Sequence, residues 1–214
     1  MKKLPLPPPH LQVPPGFGKI VARVISDLLN PAVVGIFITG VLAARIIHPL
    51  PRAMVWFSAT VLITTLPPVG YIAYLVKTGY LSDFHMPQRE KRVKPVSVIF
   101  AWLAFSVAIL LAIRAPAGMV FLVASVLVEV ALLGAITFRW KISFHSATIM
   151  AAAMATLFLR SKLAWGVWPL VFVIGWARLR LRRHTPMQVL AGYLAGVLVA
   201  AAAFYVLQLY FEVW

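Results

Sequence analysis

Long hydrophobic stretches, separated by short polar segments, run through the chain from residue 31 onward. Seven such stretches can be traced, at 31–48, 54–76, 96–113, 117–138, 146–160, 163–177 and 188–211. Most approach the roughly 20 residues that a helix needs to cross a bilayer core of about 30 Å. The pattern predicts an all-α fold, a polytopic transmembrane helical bundle of six to seven spans in which the fifth and sixth stretches are the shortest.

The first 30 residues follow a different pattern. The segment MKKLPLPPPHLQVPPGFG is rich in proline and has no apolar core before its prolines, which predicts a polyproline-type tail rather than a cleavable signal peptide. Residues 19–29 are amphipathic with basic side chains on one side. They suit a helix in the membrane interface, or equally a first turn leading into a span. We therefore divide the chain into 1–30, a tail with this interfacial segment, and a transmembrane domain at 31–214.

Composition supports a membrane protein with anionic partners. Of the 214 residues, 62% are hydrophobic, above the roughly 45–50% of soluble domains. Lys and Arg number 20 against 5 Asp and Glu, an excess that attracts phosphate groups and acidic lipid headgroups. Nucleic acid is not an expected partner, because the basic residues lie in short turns between apolar stretches. Because the chain has no cysteine, thiol nucleophiles and thiolate metal sites are excluded. The sequence does not determine the oligomeric state.

Polar residues are concentrated in three islands, at 82–95, 139–147 and 176–189. Even numbers of predicted spans separate them, so the chain can bring all three to one membrane face. That side would hold fifteen of the basic residues and the other side five. The positive-inside rule places the island face in the cytoplasm of a multi-pass protein of the cell membrane, although a phosphate site would add arginines there for its own reasons.

The islands contain side chains that could bind a tetrahedral anion. Arginine presents a planar fork of donors that matches phosphate oxygens and keeps its charge when partly desolvated. Arg89, Arg92 and Arg178 are therefore candidate phosphate ligands, and the Ser143 hydroxyl could add a neutral hydrogen bond.

Two histidines stand at the starts of apolar stretches, where a lipid headgroup would lie. Phosphoryl transfer needs a nucleophile in line with the leaving oxygen, and often an acid to protonate that oxygen. Of His184 and His145, one could attack phosphorus and the other could protonate the leaving group.

The spacing of these residues resembles the motifs of the type-2 phosphatidic acid phosphatase superfamily, over a range from about residue 77 to the C-terminus. The third family motif, S-R-x5-H-x3-D, is similar to Ala177, Arg178, His184 and Gln188 in their order and spacing. The second motif, P-S-G-H, is similar to ISFH at 142–145.

The resemblance implies a metal-independent lipid phosphate phosphatase that needs no cofactor. It makes His184 the nucleophile that forms a phosphohistidine and His145 the general acid, while Arg178 and Ser143 bind the phosphate. Gln188 takes the position of the residue that orients the nucleophile. Implied substrates are a polyprenyl diphosphate, phosphatidic acid or phosphatidylglycerol phosphate, reached from within the membrane.

The first island departs from the family's first motif, K-x6-R-P. Lys94 and Pro95 supply a basic-Pro pair, but Pro87 stands where the family has lysine. We therefore take Arg89 and Arg92 as the ligands from this island.

The third island departs at two positions. Ala177 removes a hydroxyl, and Gln188 can accept an imidazole N–H but cannot offset the charge of an imidazolium. Both changes favour an alternative function, a catalytically silent relative that binds or senses anionic phospholipid. A small anion transporter or channel is a further alternative, but it would need basic residues on both faces rather than on one.

Three other polar residues call for an interpretation. Glu129 lies in the middle of a predicted span, where an ionisable group indicates either a role in chemistry or a structural pair or protonated carboxyl. Asp83 could hold the arginines of its own island. His85 is expected to be a solvated loop residue.

Overall fold

The structure is a computed structural model, and it describes residues 16–86 and 90–211. This part of the chain forms nine α-helices and contains no strand, which confirms the predicted all-α class. The helices are α1 (Phe17–Leu28), α2 (Pro31–Ile46), α3 (Leu50–Thr64), α4 (Leu66–Lys77), α5 (Val93–Ala112), α6 (Ala117–Thr137), α7 (Phe144–Phe158), α8 (Ala164–Arg180) and α9 (Pro186–Phe211).

Several of these helices are long and apolar enough to cross a membrane. Within the described ranges there are four, namely Leu50–Lys77 (α3 with α4), α5, α6 and the Pro186–Leu209 part of α9. A fifth is present if α1 and α2, which are bent by 46° at their junction, count as one span. A multi-pass membrane protein is supported, but the predicted six to seven spans are not confirmed, because α7 and α8 have only 15 and 17 residues.

The amphipathic segment near the N-terminus is helix α1, and it packs against α8. Its buried Ala22 belongs to one apolar cluster with Ile174 and Ala177 of α8. Gly18 lies so close to α8 that an added Cβ would meet the guanidinium of Arg180 at 3.2 Å. The proline-rich tail was predicted over residues 1–18, of which 1–15 lie outside the described residues, while Phe17 and Gly18 belong to α1.

Helices α7 and α9 pack backbone to backbone beside the polar islands. A Cβ on Gly192 of α9 would lie 2.6 Å from the carbonyl oxygen of Ser143 and 2.9 Å from Cβ of Ser146. At the same place the Ser143 amide donates to the Gln188 carbonyl, over 3.3 Å. The absence of a side chain at Gly192 therefore allows the start of α7 to pack closely against the start of α9.

We expect Gly192→Ala to destabilise the protein by about 1–3 kcal/mol, because the new methyl group must displace the Ser143 carbonyl. Thermal unfolding of detergent-solubilised protein measures this. Gly70→Ala in α4 is the matched control, since a Cβ there would meet no atom within 4 Å. Equal effects of the two substitutions would contradict the packing argument.

Candidate active site

The three polar islands meet at one end of the bundle. Arg92, at the start of α5, donates from Nη1 to the Ile142 carbonyl over 3.4 Å, which joins the first island to the second. The hydrogen bond from Ser143 to Gln188 joins the second to the third. Arg183 Nη2 lies 2.9 Å from Asp83 Oδ2, which joins the third to the first. Polar side chains from α5, α7, α8 and α9 therefore surround one small volume.

Arg178, in the last turn of α8, is the most deeply buried cation of this volume. It is only 1% exposed. Its Nε and Nη1 atoms are buried and have no hydrogen-bond partner within the described part of the chain. A buried guanidinium that lacks acceptors is costly, so these two donors indicate a place for an anion.

Arg92 adds a second buried positive charge, at 5% exposure. Its guanidinium donates to the carbonyl groups of Met86, Ile142 and His85, and so uses three of its five N–H groups to brace the surrounding loops. Burial, and next the charge of Arg183, lower the pKa of Arg92 to about 10. It still carries its charge at neutral pH, and its other two N–H groups have no hydrogen-bond partner among the residues that the structure describes.

The charges around the site are strongly unbalanced. Burial lowers the pKa of Lys141, and the neighbouring Arg92, Arg178 and Arg183 lower it further. Lys94 lies apart, with its Nζ 5.4 Å from the centre of the Tyr80 ring. The remaining predicted ligand, Arg89, lies outside the described residues.

Ser143 is the N-cap of α7 and is fully buried. Its Oγ accepts hydrogen bonds from the amide of Ser146 over 3.3 Å and from the hydroxyl of Ser146 over 2.8 Å. Because both bonds use its lone pairs, the hydroxyl proton of Ser143 is free to donate to an oxyanion.

His145, in the first turn of α7, is 7% exposed. Its Nε2 lies 3.3 Å from the carbonyl oxygen of Ser26 in α1. A carbonyl only accepts, so Nε2 carries a proton and Nδ1 is the nitrogen that can exchange one. The ring also stacks on His85, with centroids 5.2 Å apart and an angle of 18° between the planes.

His184 is held by the start of α9. Its Nδ1 lies 3.2 Å from Oε1 of Gln188, the same atom that accepts from the Thr185 amide over 3.2 Å. The Thr185 hydroxyl in turn accepts from the Gln188 amide over 3.4 Å, which completes a capping box. Gln188 thus caps α9 and also fixes the Nδ1–H tautomer of His184, leaving a lone pair on Nε2.

Burial is the main reason that the pKa of His184 falls well below its ordinary value, and the charges of Arg178, Arg92 and Lys141 lower it further. The imidazole is therefore neutral at pH 7, which is the state that a nucleophile requires.

Two residues of the site were missed by the sequence reasoning. The prediction that His85 is solvated is wrong, because its side chain is 15% exposed and stacks on His145, with Nε2 3.3 Å from Oδ1 of Asp27. Ser26 could not be identified from the sequence, because it contacts His145 through its main-chain carbonyl oxygen, a group that every residue has. Asp83 pairs with Arg183 of the third island rather than with an arginine of its own island.

Glu129 lies away from these residues, in α6. It is 5% exposed, and the hydroxyl of Thr148 in α7 donates to its Oε1 over 3.2 Å. This hydroxyl partner supports a structural role for Glu129, as a link between α6 and α7.

A cavity of about 820 Å³ opens beside Arg178. Its walls are α1, the turn at 82–85 and the end of α8 with the turn that follows. Arg178 forms part of the wall of this cavity.

The C-terminal part of the chain holds His145, Arg178, His184 and Gln188 on three consecutive helices and the turn between the last two. Residues 136–212 match the model of the PAP2 superfamily. The resemblance indicated by the second and third motifs is thereby confirmed, and the PAP2 match supports a phosphatase-like hydrolase. No curated protein and no solved structure matches the chain. Helix α1, the turn at 82–86 and Arg92 lie outside the PAP2 segment.

We expect Arg178→Lys to weaken the binding of orthovanadate about 10- to 100-fold, because lysine keeps the charge but lacks the donors at Nε and Nη1. Isothermal titration calorimetry of the purified protein measures the affinity. Arg180→Lys, at an exposed position one half-turn away, is the control and should bind like wild type. Unchanged binding by Arg178→Lys would exclude this guanidinium as the anion ligand.

Proposed function

We propose that the protein is an integral membrane lipid phosphatase, which hydrolyses a phosphomonoester or diphosphate of a lipid through a phosphohistidine at His184. The single observation that carries the proposal is the buried guanidinium of Arg178, whose free donors lie among two histidines with fixed tautomers. The PAP2 match over the same residues supports it.

In the proposed reaction, one phosphate oxygen accepts from the Arg178 guanidinium and another from the Ser143 hydroxyl. Arg92 and Lys141 add positive charge around the equatorial oxygens, which stabilises the charge that develops in the transition state. No metal ion has a role in this scheme.

The nucleophile is Nε2 of His184. It attacks phosphorus as the bond from phosphorus to the lipid oxygen breaks, and His145 gives its Nδ1 proton to that oxygen. The arriving dianion offsets the surrounding cations, which favours the protonated state of His145. Water then attacks phosphorus while His145 takes its proton, and inorganic phosphate leaves with the electron pair returning to His184 Nε2.

The second candidate function is a catalytically silent relative that binds anionic phospholipid. It is favoured by Gln188, whose neutral amide leaves the His184 imidazolium without a balancing charge, and by the missing hydroxyl at Ala177. This protein would keep the anion site but would not turn over substrate.

The remaining parts of the proposal concern the membrane. We infer that residues 31–214 form the lipid-phosphatase domain and that its site faces the cytoplasm at the cell membrane. The lipid keeps its tails in the bilayer while the headgroup reaches the polar ends of α7, α8 and α9.

Release of inorganic phosphate from a panel of lipid phosphates tests the function. The wild type should hydrolyse at least one of phosphatidic acid, phosphatidylglycerol phosphate and a polyprenyl diphosphate, and His184→Ala should lose about 1,000-fold or more. Equal rates in wild type and variant would contradict the mechanism. Binding of orthovanadate without any release would support the silent relative instead.

The role of Gln188 gives a separate prediction. We expect Gln188→Asp to raise kcat about tenfold, because a carboxylate would balance the His184 imidazolium as it forms. Gln188→Leu should lower kcat, since it removes the acceptor for Nδ1–H. Steady-state phosphate release measures both, and an aspartate variant as slow as the leucine variant would contradict the orienting role.

Metal independence can be tested by removing divalent ions. Among the residues that the structure describes, no three His, Asp or Glu side chains form a group suited to a metal ion. We expect phosphate release to continue unchanged in excess EDTA. A loss that added Mg²⁺ or Zn²⁺ restores would contradict the proposed chemistry.

A further inference from the structure

His85 lies outside the PAP2 segment but contacts a histidine inside it. The side chain of His85 is 15% exposed, and its ring stacks on His145, with centroids 5.2 Å apart and an angle of 18° between the planes. This separation is within the range of roughly 4.5–7 Å that aromatic pairs favour. His85 also lines the cavity beside Arg178. The proposed reaction gives His85 no step, although its ring lies against the proposed acid.

Contacts from outside the turn hold His85 in this place. Its carbonyl oxygen accepts from Nη2 of Arg92 over 3.3 Å, and its amide donates to Oδ1 of Asp83 over 2.8 Å. Asp83 is itself paired with Arg183 of the third island, over 2.9 Å. The ring nitrogen Nε2 lies 3.3 Å from Oδ1 of Asp27 in α1, an electrostatic contact rather than an aligned hydrogen bond. Both the main chain and the ring of His85 are therefore restrained.

The ring of His145 has less polar support of its own. Within the described ranges its one hydrogen bond joins Nε2 to the carbonyl oxygen of Ser26, over 3.3 Å. One bond at one atom leaves the ring free to tilt about that atom, and the tilt redirects Nδ1, the nitrogen that would give its proton to the leaving oxygen. A misplacement of about 1 Å can lower a rate about 100-fold. The face of His85 limits this tilt.

The charge state of His85 suits such a support. Burial is the main cause that lowers the pKa of His85, and the charge of Arg178 lowers it further, whereas Asp27 and Asp83 raise it. The ring is therefore neutral at pH 7. A neutral ring can support His145 without opposing the proton that the acid must carry, while a cation in the same place would repel that proton.

We propose that His85 is a positioning residue for the reaction, whose ring keeps Nδ1 of His145 directed at the leaving oxygen. This inference rests on the proposed function, in which His145 is the acid. His85 does not touch the reacting atoms in this scheme, so the loss of its ring acts through His145 alone. A direct catalytic role, or a role in folding alone, would give different results in the experiments below.

Variants that separate the ring of His85 from its polar atoms test the proposal, with phosphatidic acid as substrate. His85→Ala removes the stack and should lower kcat/KM about 10- to 100-fold, whereas His85→Phe keeps a ring and should stay within about threefold of wild type. Phenylalanine should be tolerated, because Asp27 has a side chain 56% exposed that can turn to water and Asp83 keeps its pairing with Arg183. His48→Ala, which removes an exposed histidine, is the control and should have no effect.

The leaving group distinguishes a misplaced acid from a damaged fold. The alkoxide of phosphatidic acid needs a proton as it leaves and 4-nitrophenolate does not, and kcat/KM reports only the steps up to this release. His85→Ala should therefore lose less than about threefold in kcat/KM with 4-nitrophenyl phosphate. In a His145→Ala background, which lacks the acid, adding His85→Ala should cause no further loss with phosphatidic acid.

Four results of these assays would overturn the inference. They are a His85→Ala variant as fast as wild type, a His85→Phe variant as slow as His85→Ala, equal losses of His85→Ala with the two substrates, and a further loss in the double variant. The second would show that the polar atoms of His85 act directly, and the last two would show a role that does not pass through His145.

The orientation of His145 can also be followed without turnover. Imidazole nitrogen NMR spectra of the detergent-solubilised protein report the tautomer of each histidine, and His145→Ala identifies the signals of His145. Wild type and His85→Phe should show the single Nε2–H tautomer, and His85→Ala should show a mixture. Unchanged His145 signals in His85→Ala would overturn the inference. If the wild type releases phosphate from no lipid, the proposed function fails, while these spectra still test whether His85 orients His145.

Discussion

The burial of one guanidinium, that of Arg178, is the constraint on which the rest of the site depends. An ionised group removed from water is stable only when acceptors or an opposite charge compensate for the lost hydration. Here Nε and Nη1 have no acceptor within the described part of the chain, and the cations of Arg92 and Arg183 act on this guanidinium more strongly than the carboxylates of Asp83 and Asp27 do. We propose that an anion completes this arrangement. Burial is the main reason that His184 is neutral, and the nearby cations of Arg178 and Arg92 disfavour its imidazolium further.

Two parts of the chain contribute to this site in different ways. The PAP2 segment supplies both histidines, Arg178 and the serine cap of α7, held in place where Gly192 lets α7 and α9 approach. The part before it supplies the surroundings, since Ser26 binds the ring of His145 and His85 stacks on its face. The proposed chemistry therefore rests on residues inside the PAP2 segment, while part of the cavity wall comes from residues before it.

Hydrophobic periodicity was enough to predict the helices, because each apolar stretch must form its backbone hydrogen bonds internally. The number of spans could not be predicted in the same way, since α7 and α8 are apolar but short and their depth depends on the polar groups at their ends. The meeting of the three islands could be predicted from chain topology. The contacts of His85 and Ser26 could not be predicted, because they arise where α1 packs against α8, and this tertiary contact is not encoded in the local hydrophobic pattern. Gln188 is the opposite case, since the motif spacing indicated that it would orient His184, and its Oε1 lies 3.2 Å from His184 Nδ1.

The most direct test of the account is a crystal or cryo-EM structure of the protein with orthovanadate. Vanadate adopts the trigonal bipyramidal geometry of the phosphoryl group in transfer. We expect vanadium bonded to Nε2 of His184, equatorial oxygens accepting from the Arg178 guanidinium and from the Ser143 hydroxyl, and the apical oxygen opposite His184 facing Nδ1 of His145. Vanadate bound elsewhere, or Arg178 turned toward protein carbonyl groups with no anion beside it, would contradict the account.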